Sequence, residues 1–245
     1  MKVRTLVIGY CLALALLLFA KRQHPDQAPP GGFRGVVDLT HAVDADIAAR
    51  ESSAAKPPTV LVRLSTTIDS PTHSTGGGWT VGQIPPERLI APLVILDLRK
   101  QARTNPDYQL SVEDIARWEQ ANGQIPFGSV VMALTGWESR WYSAEKYRNA
   151  DARGTMHFPG FSLDAARFLV EARNALGLGI DTLSVDQGTS STLEVRQYTL
   201  AHGLYHLENV TNLEQVPPSG AVAVVAPEKL EGSASGPVRI MALLR

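Results

Sequence analysis

Apolar residues follow two rhythms along this chain. In Leu93-Val-Ile-Leu-Asp-Leu98 and Val130-Val-Met-Ala-Leu-Thr135 they run almost unbroken, the pattern of strands buried on both faces. In Ser162 to Leu176 they return every three or four residues, with Ala165, Leu169, Ala172 and Leu176 on one stripe before Gly177. That spacing predicts an amphipathic helix stopped by glycine. Ser111 to Ala121 reads as another helix, opened by a serine with carboxylates in its first turn. Val36 to Leu39, Val60 to Leu64, Asp181 to Val185, Ala221 to Val225 and Val238 to Leu243 complete the predicted strands. Strand and helix alternate, so the expected class is α/β, with helices packed against a mixed sheet. No internal repeat is visible.

The chain opens on a different pattern. Residues 5–20 are continuously apolar after Lys2 and Arg4, the order of a charged segment followed by the apolar core of an export signal. The run falls short of the roughly 20 residues that cross a bilayer, which favours a cleavable signal peptide. Leu18 suits a cleavage site poorly and Lys21-Arg22 follow at once, so an uncleaved N-terminal anchor, tethering the chain to a membrane through residues 5–20, stays open. The expected organisation is residues 1–20 as signal peptide or membrane anchor, 21–35 as a Pro- and Gly-rich linker, and 36–245 as the folded domain. Ala42 to Pro58 is polar and rich in small residues, like a surface excursion. An exported protein is expected, periplasmic or membrane-anchored if the source is a bacterium.

Length and composition narrow the function. A chain of 245 residues with 44% hydrophobic content can bury one substantial core. Its formal net charge of -1, with both signs interspersed, leaves no electrostatic footprint for nucleic acid, and a small molecule is the expected partner. The single cysteine, Cys11, sits in the opening apolar run, so the folded part offers no thiol for a disulfide, a zinc site or nucleophilic attack. Any metal would rest on histidine and carboxylates. There is no G-x-S-x-G motif, and Gly76-Gly-Gly78 lacks the lysine and helix of a phosphate loop.

Candidate chemistry concentrates in Arg63-Leu-Ser-Thr-Thr-Ile-Asp69-Ser-Pro71-Thr-His73, which is expected to start at a strand end and continue as a loop. Within it, His73 oriented by Asp69 is a candidate metal-free general base. His202 and His206 have the i, i+4 spacing of two ligands on one helix face. In a strand, His206 and Glu208 would share a face instead. His41 is expected to serve the packing or hydrogen bonding of the first strand, His157 to be a loop residue near a pocket mouth, and Trp118 to be structural.

The eleven-residue segment resembles, without gaps, the H-x-G-T-H-x-D-x-P-x-H signature of the cyclase family, which includes bacterial kynurenine formamidase and isatin hydrolase. Thr66, Asp69, Pro71 and His73 match, whereas Arg63 and Thr67 stand at histidine positions and Ser65 at the glycine. Further segments follow in the family's order: Asp38-Leu-Thr-His41, Thr135-Gly-Trp137, Phe158-Pro-Gly-Phe-Ser162, Gly179 to Asp186, Leu207 to Leu213 and Gly236-Pro-Val-Arg239. The resemblance implies a kynurenine formamidase-like domain over 36–245 with the swivelling β/β/α fold, as a homodimer or higher homo-oligomer. It also implies zinc or manganese on histidines and carboxylates, acting on a small amide, formamide or lactam.

Of the family's ligand positions this chain keeps Asp69, His73 and Glu208, while Arg63, Thr67 and Arg196 replace histidines. Threonine offers a weak neutral oxygen, and a guanidinium stays protonated with no lone pair to give. The metal is therefore expected to be lost or weakened, with Arg63 and Arg196 pairing with Asp69 and Glu208 in its place. A rebuilt site from Asp69, His73, His206 and Glu208 stays open. Trp79, Trp137, Trp141 and Phe158 are expected around a pocket, since the family's aromatic or amide substrates would pack on such faces, with core packing equally expected for Trp137. Two functions follow: an arylformamidase-like hydrolase with a degenerate metal site, or a non-catalytic exported small-molecule-binding or assembly protein that keeps the fold.

Overall fold

The computed structural model describes residues 30–43 and 65–245. The opening apolar run, most of the linker, most of the 42–58 excursion, the strand expected at Val60 to Leu64, and Arg63 with it, lie outside the described residues. Among the described residues no helix is long and apolar enough to cross a membrane.

The strands are β1 (Gly35–Asp38), β2 (Thr67–Asp69), β3 (Ile90–Asp97), β4 (Gln109–Leu110), β5 (Val130–Leu134), β6 (Gly160–Phe161), β7 (Gly177–Ile180), β8 (Tyr205–Glu208), β9 (Ala221–Pro227) and β10 (Ser235–Leu244). The helices are α1 (Thr72–Thr75), α2 (Arg99–Thr104), α3 (Val112–Asn122), α4 (Ala144–Arg148), α5 (Leu163–Arg173) and α6 (Glu194–Ala201). One mixed sheet runs β1-β10-β2-β8-β7-β5-β3-β9, and β9 also pairs with β10, which closes the sheet into a barrel. β10 makes that closure: Ser235 to Pro237 pair with β2, Val238 to Leu243 with β9, and Met241 to Leu244 with β1.

Strand alternation sorts the core into two clusters. Leu93 and Ile95 of β3, Val130, Met132 and Leu134 of β5, and Leu207 of β8 join one cluster with Ile68, Ala223 and Ile240. Val94, Leu96, Val131 and Ala133 point the other way, onto Ile115 and Trp118 of α3 and Ala165 and Leu169 of α5. Strands covered on both sides need no polar face, which explains the unbroken apolar runs. Each buried aliphatic side chain contributes about 1.5–3 kcal/mol. α3 starts where its serine predicts: Ser111 Oγ accepts from Asp114 N at 3.3 Å, and Asp114 Oδ2 accepts from Ser111 N at 2.9 Å.

Three expectations are corrected. α5 ends at Arg173 because Asn174 turns left-handed at φ 49°, its N–H returning to the carbonyls of Leu169 and Val170. The strand that follows is Gly177–Ile180, and not Asp181 to Val185. Its two glycines are required by close packing: a Cβ on Gly177 would lie 2.5 Å from the Tyr205 ring, and one on Gly179 2.6 Å from Met132. Finally, the segment read as a loop holds β2 at its centre, followed directly by the short helix α1.

Candidate functional site

β2 and β8 are antiparallel neighbours in which Asp69 lies opposite His206 and Thr67 opposite Glu208. Ile68 and Leu207 face the barrel cluster. The intervening residues Thr67, Asp69, His206 and Glu208 therefore project from the opposite face, and all four are buried. The strand reading of His206 and Glu208 is the one observed. His202 lies beyond α6, exposed, with Nδ1 2.7 Å from the Tyr198 carbonyl oxygen.

α6 supplies the central residue, Arg196. The helix begins on Leu193, left-handed at φ 50° and without a capping side chain. Asp186 does that work from a distance, its carboxylate accepting from Val195 N at 2.9 Å and Arg196 N at 3.1 Å. Arg196 Nη1 bonds Asp69 Oδ2, and Nη2 bonds Glu208 Oε1 at 2.5 Å. Nη1 also lies 3.3 Å from His73 Nδ1, and Nη2 3.3 Å from Ser184 Oγ. The guanidinium thus spans both retained carboxylates.

The electrostatics follow from burial and pairing. Burial opposes the Arg196 charge, but Glu208 and Asp69 hold it above the ordinary arginine value, so it is a fixed cation. Burial pushes the Glu208 carboxyl up, against the pull of Arg196. His206 is pushed well below its ordinary value by burial first and by Arg196 and His73 next, which keeps it neutral.

Hydrogen bonding fixes both imidazoles. Thr199 Oγ1 donates its one proton to the Val195 carbonyl at 2.7 Å, so at its 2.6 Å contact with His206 Nε2 it must accept. His206 therefore carries its proton on Nε2, and its buried Nδ1 keeps a lone pair with no partner among the described residues. For His73, arginine can only donate, so Nδ1 accepts and Nε2 holds the proton. His73 is exposed and, in this arrangement, presents a donor and not a base.

A ring nitrogen of His206 and carboxylate oxygens of Asp69 and Glu208 lie within 4.8 Å of one another, close enough for a metal-ligating set. As it stands the set does not fit a divalent ion. Two of its three donors are already bonded to a cation that cannot ligate, and a second cation would be repelled.

Beside this cluster a cavity of about 320 Å³ is lined by Pro71, Gly77, Gly78, Trp79, Leu200, Ala201 and Gly203, between the end of α6 and the segment after β2. Arg88 lies over the Trp79 ring at 4.9 Å and donates to the Gly203 carbonyl at 3.0 Å. Trp137 is not on this cavity. It is buried with Tyr147 and Phe158, donates through Nε1 to the Tyr147 carbonyl at 2.8 Å, and is covered by Arg140 at 3.7 Å. Trp141 packs against that cluster and stacks on His41 at 3.8 Å. His157 bonds Asp107 at 2.8 Å. Trp118 is structural, donating to the Ile95 carbonyl at 2.8 Å. Sequence reasoning missed Thr199, Ser184 and Asp186, whose roles exist only through partners that the fold brings to them.

A family profile described as Putative cyclase matches residues 37–187. Isatin hydrolase from Roseibium aggregatum is 32% identical over 189 residues, 73% of this chain and 70% of that protein. Kynurenine formamidase from Polaromonas naphthalenivorans is 40% identical over 77 residues, 31% of this chain and 33% of that protein. The solved structure of isatin hydrolase A from Labrenzia aggregata bound to benzyl benzoate aligns with a TM-score of 0.75 at 29% identity, over 86% of this chain and 93% of that one.

Proposed function

This chain belongs to the Putative cyclase family, among hydrolases related to isatin hydrolase and kynurenine formamidase, and from that premise we propose that it binds a small amide, formamide or lactam without metal-assisted hydrolysis. The observation that carries this reading is Arg196 seated on both Asp69 and Glu208. Hydrolysis needs an activated water and a donor for the oxyanion. The four Nη protons of Arg196 face Asp69, His73, Glu208 and Ser184 and are not free for an oxyanion, while its Nε–H, without a partner among the described residues, is buried. His73 has its Nδ1 lone pair engaged by the same guanidinium, which removes it as a base.

What this arrangement can do is hold a ligand. His73 Nε2–H suits a carbonyl or carboxylate oxygen, and the cavity walled by Trp79, Pro71 and Leu200 suits an apolar or aromatic body. Hydrolysis is the second reading, favoured by the retention of Asp69, His73 and Glu208 around one point. The test is to incubate the purified protein with N-formylkynurenine, isatin and a simple lactone, with and without zinc or manganese, and to measure binding by calorimetry. The proposal expects saturable binding and no turnover above background. Metal-dependent turnover would overturn it. We further propose export, resting on Lys2, Arg4 and the apolar residues 5–20, and self-association, resting on the family resemblance.

A further inference from the structure

We infer that Arg196 is a built-in cation that keeps a latent metal site closed, and that removing its guanidinium opens a divalent transition-metal site on Asp69, His206 and Glu208. The inference rests on the same reading of Arg196 as the site's resident cation, but on no organic ligand.

Three observations carry it. A ring nitrogen of His206 and carboxylate oxygens of Asp69 and Glu208 already lie within 4.8 Å of one another, and all three residues are on paired strands of the barrel wall, so truncating a residue of α6 leaves their backbone in place. His206 Nδ1 holds a buried lone pair with no partner among the described residues, an acceptor whose loss of solvent nothing offsets. The outer shell of a ligating histidine is also built: Nε2–H donates to Thr199 Oγ1, which donates on to the Val195 carbonyl, and this fixes the tautomer that leaves Nδ1 bare. One imidazole and two carboxylates suit zinc or manganese at about 2.0–2.2 Å from each donor. In the wild-type protein the guanidinium already satisfies both carboxylates, so an added ion gains little and meets a like charge.

The experiment compares the full-length wild-type protein with Arg196→Ala, both stripped with chelator, then titrated with zinc or manganese alone. Calorimetry, metal content after desalting, and the thermal midpoint with and without chelator are recorded. The wild type should retain no stoichiometric metal, and chelator should not move its midpoint. R196A should bind close to one ion per chain, and its midpoint should rise by about 5–10 °C at roughly 100 times the dissociation constant. Adding His206→Ala to R196A should abolish the uptake. Arg196→Gln, which keeps one hydrogen bond to a carboxylate, serves if R196A does not fold without metal.

Stoichiometric metal in the wild type, lost to chelator with a fall in midpoint, overturns the inference. So does a folded R196A or R196Q that takes up no zinc or manganese, and so does failure of both variants to fold with zinc present. Metal uptake by R196A is read without any amide ligand. A wild type that fails to bind amides would therefore sink the functional proposal and leave this result standing.

Discussion

Removing Asp69 tests the ion-pair cluster most directly. Its side chain is 6% exposed and that of Arg196 10%, so the pair belongs to the buried regime, in which stripping one partner leaves an uncompensated charge. Such losses run to about 3–5 kcal/mol. Arg196 would keep Glu208 and Ser184, which places Asp69→Ala at the lower end, about 3 kcal/mol. For a chain of this length that corresponds to a fall of about 6–12 °C in thermal midpoint. Asp69→Asn keeps an oxygen for Nη1 and should lose less than half as much. Urea unfolding of D69A, Arg196→Met and the double variant gives the coupling, with unchanged slopes required so that the midpoints report stability. A coupling of at least about 1 kcal/mol is expected for groups in direct contact. If D69A costs the same with and without Arg196, or if added zinc restores D69A alone, Asp69 serves something other than this guanidinium and the reasoning fails.

Two further outcomes check separate parts of the site and its surroundings. Burial lifts Asp181 to about 6 against the donors of Thr135 and Trp137, while an unfolded aspartate ionises near about pH 4. The native state therefore holds an extra proton between those values, and this group's contribution is full below about pH 4 and lost as pH rises through about 6. The stability difference between the wild type and Asp181→Asn should accordingly shift toward the variant from pH 4 to pH 7, and thermal midpoints that stay parallel over that range would count against the assignment. Thr199→Val leaves the buried His206 Nε2–H without its acceptor and should cost about 1–3 kcal/mol in urea unfolding, recovered by Thr199→Ser. Equal stability of T199V and T199S would contradict the tautomer derived for His206.

The barrel's interior strands could be read directly, because β3 and β5 are covered on both faces and need no polar alternation. The α3 start was equally plain, since Ser111 and Asp114 form a local cap. β7 was hidden for the opposite reason: its glycines look like breakers in sequence, and only Tyr205 and Met132, placed by the fold, explain them. β2 is three residues long, too short for any periodicity to declare itself. At the site, Asp69, His73, Glu208 and Arg196 could be named from the motif and its departures, yet His206 could be placed only once its strand was known. Thr199 and Ser184 carry no signal at all, being ordinary polar residues until α6 packs over β8. Trp137 stayed open between pocket wall and core packing in the sequence, because an aromatic beside a motif looks the same whether it faces a cavity or lies under Arg140.

The closing role of β10 has a kinetic consequence. The ring is completed only when Ser235 to Pro237 of β10 pair with Thr67 to Asp69 of β2, about 170 positions earlier in the chain, while the rest of β10 pairs with β9. Contacts this distant in sequence slow the search for the native topology, and until β10 arrives β2, β9 and β1 keep unpaired edges. Slow refolding with aggregation rising steeply with protein concentration is the behaviour this architecture entails, and Asp69 reaches its working position only at the end of that search.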